Sequence, residues 1–287
     1  FVAPRHMRAI KETGNTLIAA LDPHDNVGVL DSYFPNTDFF TEFERFDRHL
    51  EKLRRGGNQI DYISICSPNY LHDAHIRFAL RHGADAICEK PLVLNPWNLD
   101  ALEQIEQETG KKIHTILQLR LHPSIQQLKE KISQSSNKRH QIELTYITSR
   151  GKWYDYSWKG DLQKSGGVAT NIGVHFFDML IHIFGKAQNI EVEKHNPHMT
   201  SGNLILENAD VKWKLSIDSN DLPEEAVKEG KRTFRNISVD GETLEFSGGF
   251  EDLHTSSYKH ILSEGNFGIS ETRAAIEICH KIRTLSI

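Results

Sequence analysis

The chain has 287 residues, enough for two domains, because one hydrophobic core seldom grows beyond the low hundreds of residues. Hydrophobic residues make up 38% and charged residues 25%, the balance of an ordinary globular protein, which excludes wholesale disorder. The net charge is −5, no basic stripe stands out and no apolar run approaches a bilayer crossing, so neither nucleic acid nor membrane is expected as a partner.

The first half alternates short β-rich runs with helical stretches, the pattern of βαβ units on a parallel sheet. Thr16 to Leu21 reads as a strand stopped by Asp22-Pro23, and Asp61 to Cys66 as a second stopped by Ser67-Pro68-Asn69. A helix is predicted from about Tyr70 to His82, closed by Gly83, where glycine suits a C-terminal cap. Asp85 to Cys88 is a third strand, stopped by Glu89-Lys90-Pro91, and a helix from Pro96 to Thr109 is again closed by a glycine, Gly110. Ile113 to Gln118 is a fourth strand, followed by Leu119-Arg120. Residues 134–140 are polar and read as an exposed loop near a domain boundary.

The second half has another texture. Val211, Trp213, Leu215 and Ile217 alternate with polar residues at period two, and Glu143 to Thr148, Phe234 to Val239 and Thr243 to Phe246 are further strand candidates. Asp240-Gly241 is a hairpin signal between the last two. Helices are expected around Leu253 to Leu262 and Glu271 to Leu285. The expected architecture is α/β: an N-terminal doubly wound parallel sheet over residues 1–119 and a C-terminal α+β domain with a largely antiparallel sheet over 120–287. The period-two strand offers a sheet face either to a second subunit, as a dimer or tetramer, or to the closing helices.

Cys66, Cys88 and Cys279 are widely spaced, odd in number and without a CxxC, so neither a disulfide framework nor a thiolate metal site is expected, and a reducing cytoplasm is the simple setting. In an open parallel sheet, ligands bind outside the carboxyl ends of the strands. Three polar stops in a row, at 67–69, 89–91 and 118–120, would line one crevice, although strands also end in polar turns for no other reason. Lys90, held between the end of a buried strand and a proline, cannot swing freely into solvent, and that placement suits catalysis. Asp22 either receives an adenosine ribose, favouring NAD over NADP, or simply makes an Asp-Pro turn.

The second focus is Lys164 to Asp178, with Gly166-Gly167 permitting a tight turn or a close backbone approach. A helix starting near Gly173 puts His175 and Asp178 one turn apart, with His182 two turns beyond His175. These three do not complete a plausible ligand set, so no metal is expected. Arg150, Lys152 and Lys159, with Trp153 and Trp158 between them, either grip a carboxylate or diphosphate or form an exposed basic loop over packed aromatics.

Taken together, Glu89-Lys90-Pro91, the Ser67-to-His72 segment and the glycine-rich run to His175 resemble the glucose-fructose oxidoreductase/inositol dehydrogenase/rhizopine catabolism (Gfo/Idh/MocA) family, in order and spacing over nearly the whole chain. Residues 146–161, continuing into Lys164 to Leu180, are similar to the bacterial UDP-N-acetyl-2-amino-2-deoxyglucuronate (UDP-N-acetylglucosaminuronate) 3-dehydrogenases. The resemblance implies NAD-dependent oxidation of the C3 hydroxyl of a UDP-linked uronate to a 3-keto sugar, for lipopolysaccharide O-antigen assembly. It implies catalysis by Lys90 and His175, and cofactor contacts from Asp22, Ser67, Pro68, Asn69, His72, Glu89, Lys90 and Gln118. Substrate contacts are expected from Lys90, Arg150, Trp158, Lys159, Asn171 and His175. Two departures stand out: the glycine-rich phosphate loop and its strand, expected at the start of such a domain, are absent, with Phe1 to His6 resembling the helix that follows the loop. Asn171 stands where many members carry aspartate.

Oxidation at C3 needs a base for the hydroxyl proton. Histidine titrates near neutrality, whereas lysine must fall by roughly three units, which tilts the role toward His175 and leaves Lys90 to hold the oxygen; the reverse division stays open. The alternatives are a dehydrogenase of a free polyol, inositol or aldose, or a non-catalytic binding relative.

Overall fold

The computed structural model describes residues 2–134, 138–244, 252–264 and 267–285. The N-terminal half runs α1 (Ala3–Glu12), β1 (Ala19–Leu21), α2 (Val27–Asp31), β2 (Asp38–Phe40), α3 (Phe43–Arg55), β3 (Tyr62–Ile65), α4 (His72–Arg81), β4 (Asp85–Cys88), α5 (Pro96–Thr109) and β5 (Ile113–Thr115). All its strand pairings are parallel, in two sheets ordered β1-β2 and β3-β4-β5. In a doubly wound sheet of order 3-2-1-4-5-6, a strand preceding α1 would lie between β1 and β3, which is where the two sheets part. Gly83 and Gly110 stop α4 and α5 at φ +78° and +68°, left-handed values that favour glycine.

The chain then forms α6 (Pro123–Gln134), β6 (His140–Thr148), two short helices α7 (Trp153–Tyr156) and α8 (Leu162–Ser165), a π-helical turn over Ala169–Gly173, and α9 (Val174–Phe184). Next come β7 (Ala187–His195), β8 (Met199–Leu206), β9 (Ala209–Ser216), α10 (Glu224–Lys228), β10 (Thr233–Val239), β11 (Glu242–Thr243), α11 (Leu253–Glu264) and α12 (Ile269–Thr284). The six strands form one sheet, β11-β10-β6-β9-β8-β7, antiparallel except where β6 and β9 run parallel. Asp240 and Gly241 both have positive φ, +53° and +85°, the signature of the tight hairpin turn expected there. The predicted strand to Phe246 and loop 134–140 lie partly outside the described residues; Glu242–Thr243 is the strand seen.

The alternation in β9 resolves the question of what its face meets. Val211, Trp213 and Leu215 are buried against α9, with the Phe177 ring perpendicular to Trp213 at 5.4 Å, while Lys212 stands on the opposite, exposed face. Helix α9 is apolar enough that the whole Leu162–Phe184 stretch has the length and composition of a membrane span, yet 72% of its apolar window is buried inside the protein, as a core helix. The closing helices behave differently. Ile269 and Ile276 of α12 join the core of β3, β4 and α5, and Tyr258 and Ile261 of α11 pack with α1. Chain that is C-terminal in sequence thus forms part of the N-terminal core.

A desolvated ion pair fixes α9 to this frame. Arg120, in the turn after β5, donates to both carboxylate oxygens of Asp178 at 2.7 and 3.0 Å, and a third bond from it reaches the Glu271 carbonyl at the start of α12. The side chains are only 10% and 3% exposed. Burial raises the Asp178 carboxyl above its ordinary value, opposed by the guanidinium. Removing one partner of such a pair strands the other without solvent, whereas replacing both with apolar groups does not. Arg120→Met should therefore destabilise the fold by about 3–5 kcal/mol, and Arg120→Met/Asp178→Leu should recover most of the loss. Chemical-denaturation midpoints check this; equal loss in the single and double variants would refute it.

Candidate active site

Lys90 stands two residues past the carboxyl end of β4, and the Lys90–Pro91 peptide is cis. Its Nζ crosses to the C-terminal half and donates to the Asn171 carbonyl at 3.2 Å. Asn171 belongs to the π-helical turn that leads into α9, one turn before His175. The turn can form because Gly173 lets the backbone sit directly on the sheet: a Cβ there would lie 2.6 Å from Leu215 Cδ1 and 2.8 Å from the Phe177 ring. One residue more per turn re-aims the helix, a device recurrent at functional sites. Upstream, Gly166 and Gly167 take φ of +79° and +75°, and a Cβ on Gly166 would strike Thr170 at 2.6 Å. The glycine pair thus makes the tight turn, and its backbone lies against Thr170 and Leu162.

The electrostatics follow from burial and crowding of like charges. Burial, and beyond it Lys159 and Arg150, push the Lys90 ammonium down to about 8, with Glu89 and Cys279 opposing. Burial and Lys90 hold the His175 imidazole well below its usual range, so it is neutral at physiological pH. Lys159 is itself depressed by burial and Arg150, and its ammonium lies 5.8 and 5.6 Å from the Trp153 and Trp158 rings. Lys90, Arg150 and Lys159 therefore form one positively charged neighbourhood with a neutral imidazole at its edge. Such a place offers a cation to developing alkoxide charge, a base to a hydroxyl proton, and further cations to an anionic ligand.

The other expected residues divide. Asp22 ends β1 and its carboxylate accepts from the His24 amide and the Asn26 side chain, both at 2.9 Å; this is the turn, and it leaves lone pairs over. Ser67 hydrogen-bonds His75 through its hydroxyl, Pro68 opens the turn before α4, and Gln118 lies half-buried in the turn after β5. Three side chains expected on the cofactor have hydrogen-bond partners within the protein. His72 is fully buried, its nitrogens on the Ser67 and Pro91 carbonyls at 2.8 and 2.7 Å, so it clamps the ends of β3 and β4 together. Asn69 is buried and donates one amide hydrogen to the Ser165 carbonyl. Glu89 lies 7% exposed, with one carboxylate oxygen 3.0 Å from His6 Nε2 and 2.8 Å from His254 Nε2.

Asn171 points its side chain at the Tyr154 hydroxyl, 3.1 Å away, not along α9 toward His175. Sequence reasoning passed over Tyr154, buried within an aromatic run whose other members are exposed or half-buried, and over Cys279, whose thiol meets the Ala169 carbonyl. The metal set considered for α9 is dispersed: Asp178 belongs to Arg120, and His182 lies 3.1 Å from Lys129 Nζ, its pKa driven to about 4 by burial and these cations. His6, Glu89 and His254 bring one ligand atom each within 4.8 Å. Their N–O separations are hydrogen-bond lengths, shorter than the roughly 3.3 Å between donors on a tetrahedral ion with bonds near 2.05 Å.

A dinucleotide would meet the carboxyl edges of β1, β3 and β4, where Asp22, the Ser67-Pro68-Asn69 backbone and Lys90 stand, and the first turn of α1, whose amides no side chain caps. That donor set fits the group.

Comparison with known proteins agrees with this layout. Residues 1–116 match the model of the oxidoreductase family with NAD-binding Rossmann fold, and residues 138–202 match that family's C-terminal alpha/beta domain. The WlbA (WbpB) dehydrogenase from Thermus thermophilus, solved in complex with NAD and alpha-ketoglutarate, is 51% identical with a TM-score of 0.96, covering 100% of this chain and 93% of its own. The same dehydrogenase solved with NAD and UDP-GlcNAcA matches at 51% and 0.96, covering 100% and 92%. The D-glucoside 3-dehydrogenase of Escherichia coli is 26% identical over 144 residues, 47% of this chain and only 39% of that protein. The chain belongs to the Gfo/Idh/MocA oxidoreductase family, whose members join an NAD-binding Rossmann fold to a C-terminal alpha/beta domain.

Proposed function

We propose that this protein oxidises the C3 hydroxyl of UDP-N-acetylglucosaminuronate to the 3-keto sugar with NAD, as a step in making O-antigen sugars. The observation that carries the reading is the meeting of Lys90 with the turn that leads into α9, the helix that carries His175, beside two further cations, across the junction of the two halves. Similarity at 51% identity to a dehydrogenase solved with NAD and UDP-GlcNAcA supports the same substrate class. A nucleotide-linked uronate brings anionic groups to the positively charged neighbourhood of Lys90, Arg150 and Lys159, which a free polyol or inositol does not. Assembly through the open polar face of the sheet, where Glu143 and Lys212 stand exposed on paired strands, and a cytoplasmic setting belong to the same proposal.

When bound, the nicotinamide supplies the hydride acceptor. His175, neutral and largely desolvated, takes the hydroxyl proton at an imidazole nitrogen. Lys90, cationic, donates to the hydroxyl oxygen and stabilises the negative charge that develops as the C–H bond breaks. The Asn171 carbonyl accepts from the ammonium and holds it in place, so little reorganisation is needed. Arg150 and Lys159 receive the uronate carboxylate or the diphosphate, and Trp158 offers a flat face beside them.

NADH absorbance on adding UDP-N-acetylglucosaminuronate tests the assignment against free inositol and aldoses; turnover on the free sugars alone would overturn it. His175→Asn should lower kcat at least about a hundredfold, and Lys90→Met by about a hundred- to a thousandfold. Near-parent turnover in either variant would remove that residue from the chemistry. The pH dependence follows from the shifts: with His175 depressed, its neutral form is already present at mildly acid pH, whereas Lys90 loses its proton as pH rises through about 8. kcat/KM should therefore be flat near neutrality and fall above pH 8, and a rise through that range would instead make the neutral amine of Lys90 the base.

A further inference from the structure

We propose that Glu89, bridged by His6 and His254, is a buried positioning assembly that holds the Lys90 backbone and charge from behind the site. The proposal rests on the catalytic reading of Lys90. His6 comes from α1, Glu89 from the end of β4 and His254 from α11, so residues 83 and 165 positions from Glu89 converge on one carboxylate. Glu89 Oε1 accepts from both imidazoles, and its Oε2 lies 3.3 Å from the backbone N–H of Lys90 itself. The assembly continues behind His6: its Nδ1 is 2.8 Å from the Tyr258 hydroxyl, which is 2.6 Å from Ser64 Oγ on β3. His6, His254 and Tyr258 are 2%, 4% and 3% exposed, and the two imidazole rings meet edge to face at 5.1 Å.

His6, Glu89, His254 and Tyr258 are all buried, and a buried carboxylate with two histidines is costly unless partners satisfy it. Here the partners are complete. Burial drives Glu89 upward, but donation from His254 and His6 outweighs it and holds the carboxylate well below its usual range, hence anionic. Burial disfavours a charged His6, yet neighbouring Cys66, Tyr258 and Glu89 raise it well above its ordinary value. The anion is thereby locked one residue from Lys90. The charged or titratable groups that bear most on Lys90 are Glu89, Lys159 and Arg150 from the segment after β6, and Cys279 on α12, while His175 on α9 is lowered by Lys90; Glu89 and Cys279 oppose the cations. The bridge also ties the strand end to α1 and to α11.

The test compares Glu89→Gln, His254→Leu and His254→Gln in the full chain. It measures kcat and KM with UDP-N-acetylglucosaminuronate and NAD, and separately the Lys90 titration midpoint by pH-dependent competitive acetylation read by peptide mass spectrometry. Glu89→Gln and His254→Leu should lower kcat by about ten- to a hundredfold with KM changed by less than about threefold. Both should move the Lys90 midpoint to lower pH by about half a unit or more. His254→Gln, whose amide can still donate to Glu89, should stay close to the parent in both readouts. Parent-level kcat with an unmoved midpoint in Glu89→Gln overturns the proposal, as does equal loss in His254→Gln and His254→Leu, or a stoichiometric divalent metal that His254→Leu releases. Should Glu89→Gln not fold, the two His254 variants make the same comparison. Because the midpoint is read without turnover, it judges the bridge even if Lys90→Met shows that Lys90 has no part in the chemistry.

Discussion

The Arg120–Asp178 pair is the interaction on which the arrangement depends. Helix α9 has an apolar face that would pack on the C-terminal sheet at several angles, since ridges of Ile, Leu and Phe discriminate weakly among them. A bidentate, desolvated ion pair does not have that latitude: Arg120 must meet Asp178 in one plane, and it must also reach the Glu271 carbonyl. Asp178 lies one turn beyond His175, so fixing the one fixes the other. The pair therefore converts the position of the turn after β5, in one half, into the orientation of an imidazole carried by the other.

Around that seam the protein concentrates positive charge and then restrains it. Burial, and beyond it the neighbouring cations, depress the proton affinity of Lys90 and Lys159, which is how a lysine comes to titrate near 8 without a specialised motif. Left unopposed, the same forces would strip Lys90 of its proton and its usefulness as an electrostatic partner. A carboxylate kept anionic at the strand end is the counterweight, and it stays charged only because two distant histidines supply donors that water would otherwise provide. Stability and chemistry are here the same problem, since the groups that neutralise the buried charge also hold the backbone that presents it.

Much of this was legible in the residues. Helix α5 over Pro96–Thr109 and strand β4 over Asp85–Cys88 emerge with the predicted bounds, because a proline opens the one, a glycine closes it, and an apolar run stops at a polar triplet in the other. The expectation that Lys90 and His175 meet rested on resemblance and strand-end logic, and the geometry brings Lys90 to the turn before His175. What stayed hidden did so for identifiable reasons. Strand β7 is an edge strand with mostly exposed polar residues, and β8 carries Gly202 and Asn203 mid-strand, so the residue types of neither alternate cleanly although burial along β8 does. The π-helical turn has no compositional mark at all; it is imposed by where Gly173 must rest on the sheet. His72 and Glu89 read as cofactor contacts because they flank the strand ends, but sequence cannot tell a side chain facing the crevice from one turned back into the protein.

That last ambiguity has a physical resolution. At the carboxyl end of a parallel strand, alternate residues point to opposite faces, so within Glu89-Lys90 one side chain is sent outward and its neighbour inward. An inward glutamate needs donors within the protein, and donors must come from elements packed over the sheet, here α1 and α11. An outward lysine then sits beside an anion it never contacts through its own side chain. The doublet Glu-Lys at a strand end is thus a single device split across two faces of one sheet: the lysine serves the cleft, while the glutamate sets the charge and the backbone position with which the lysine arrives.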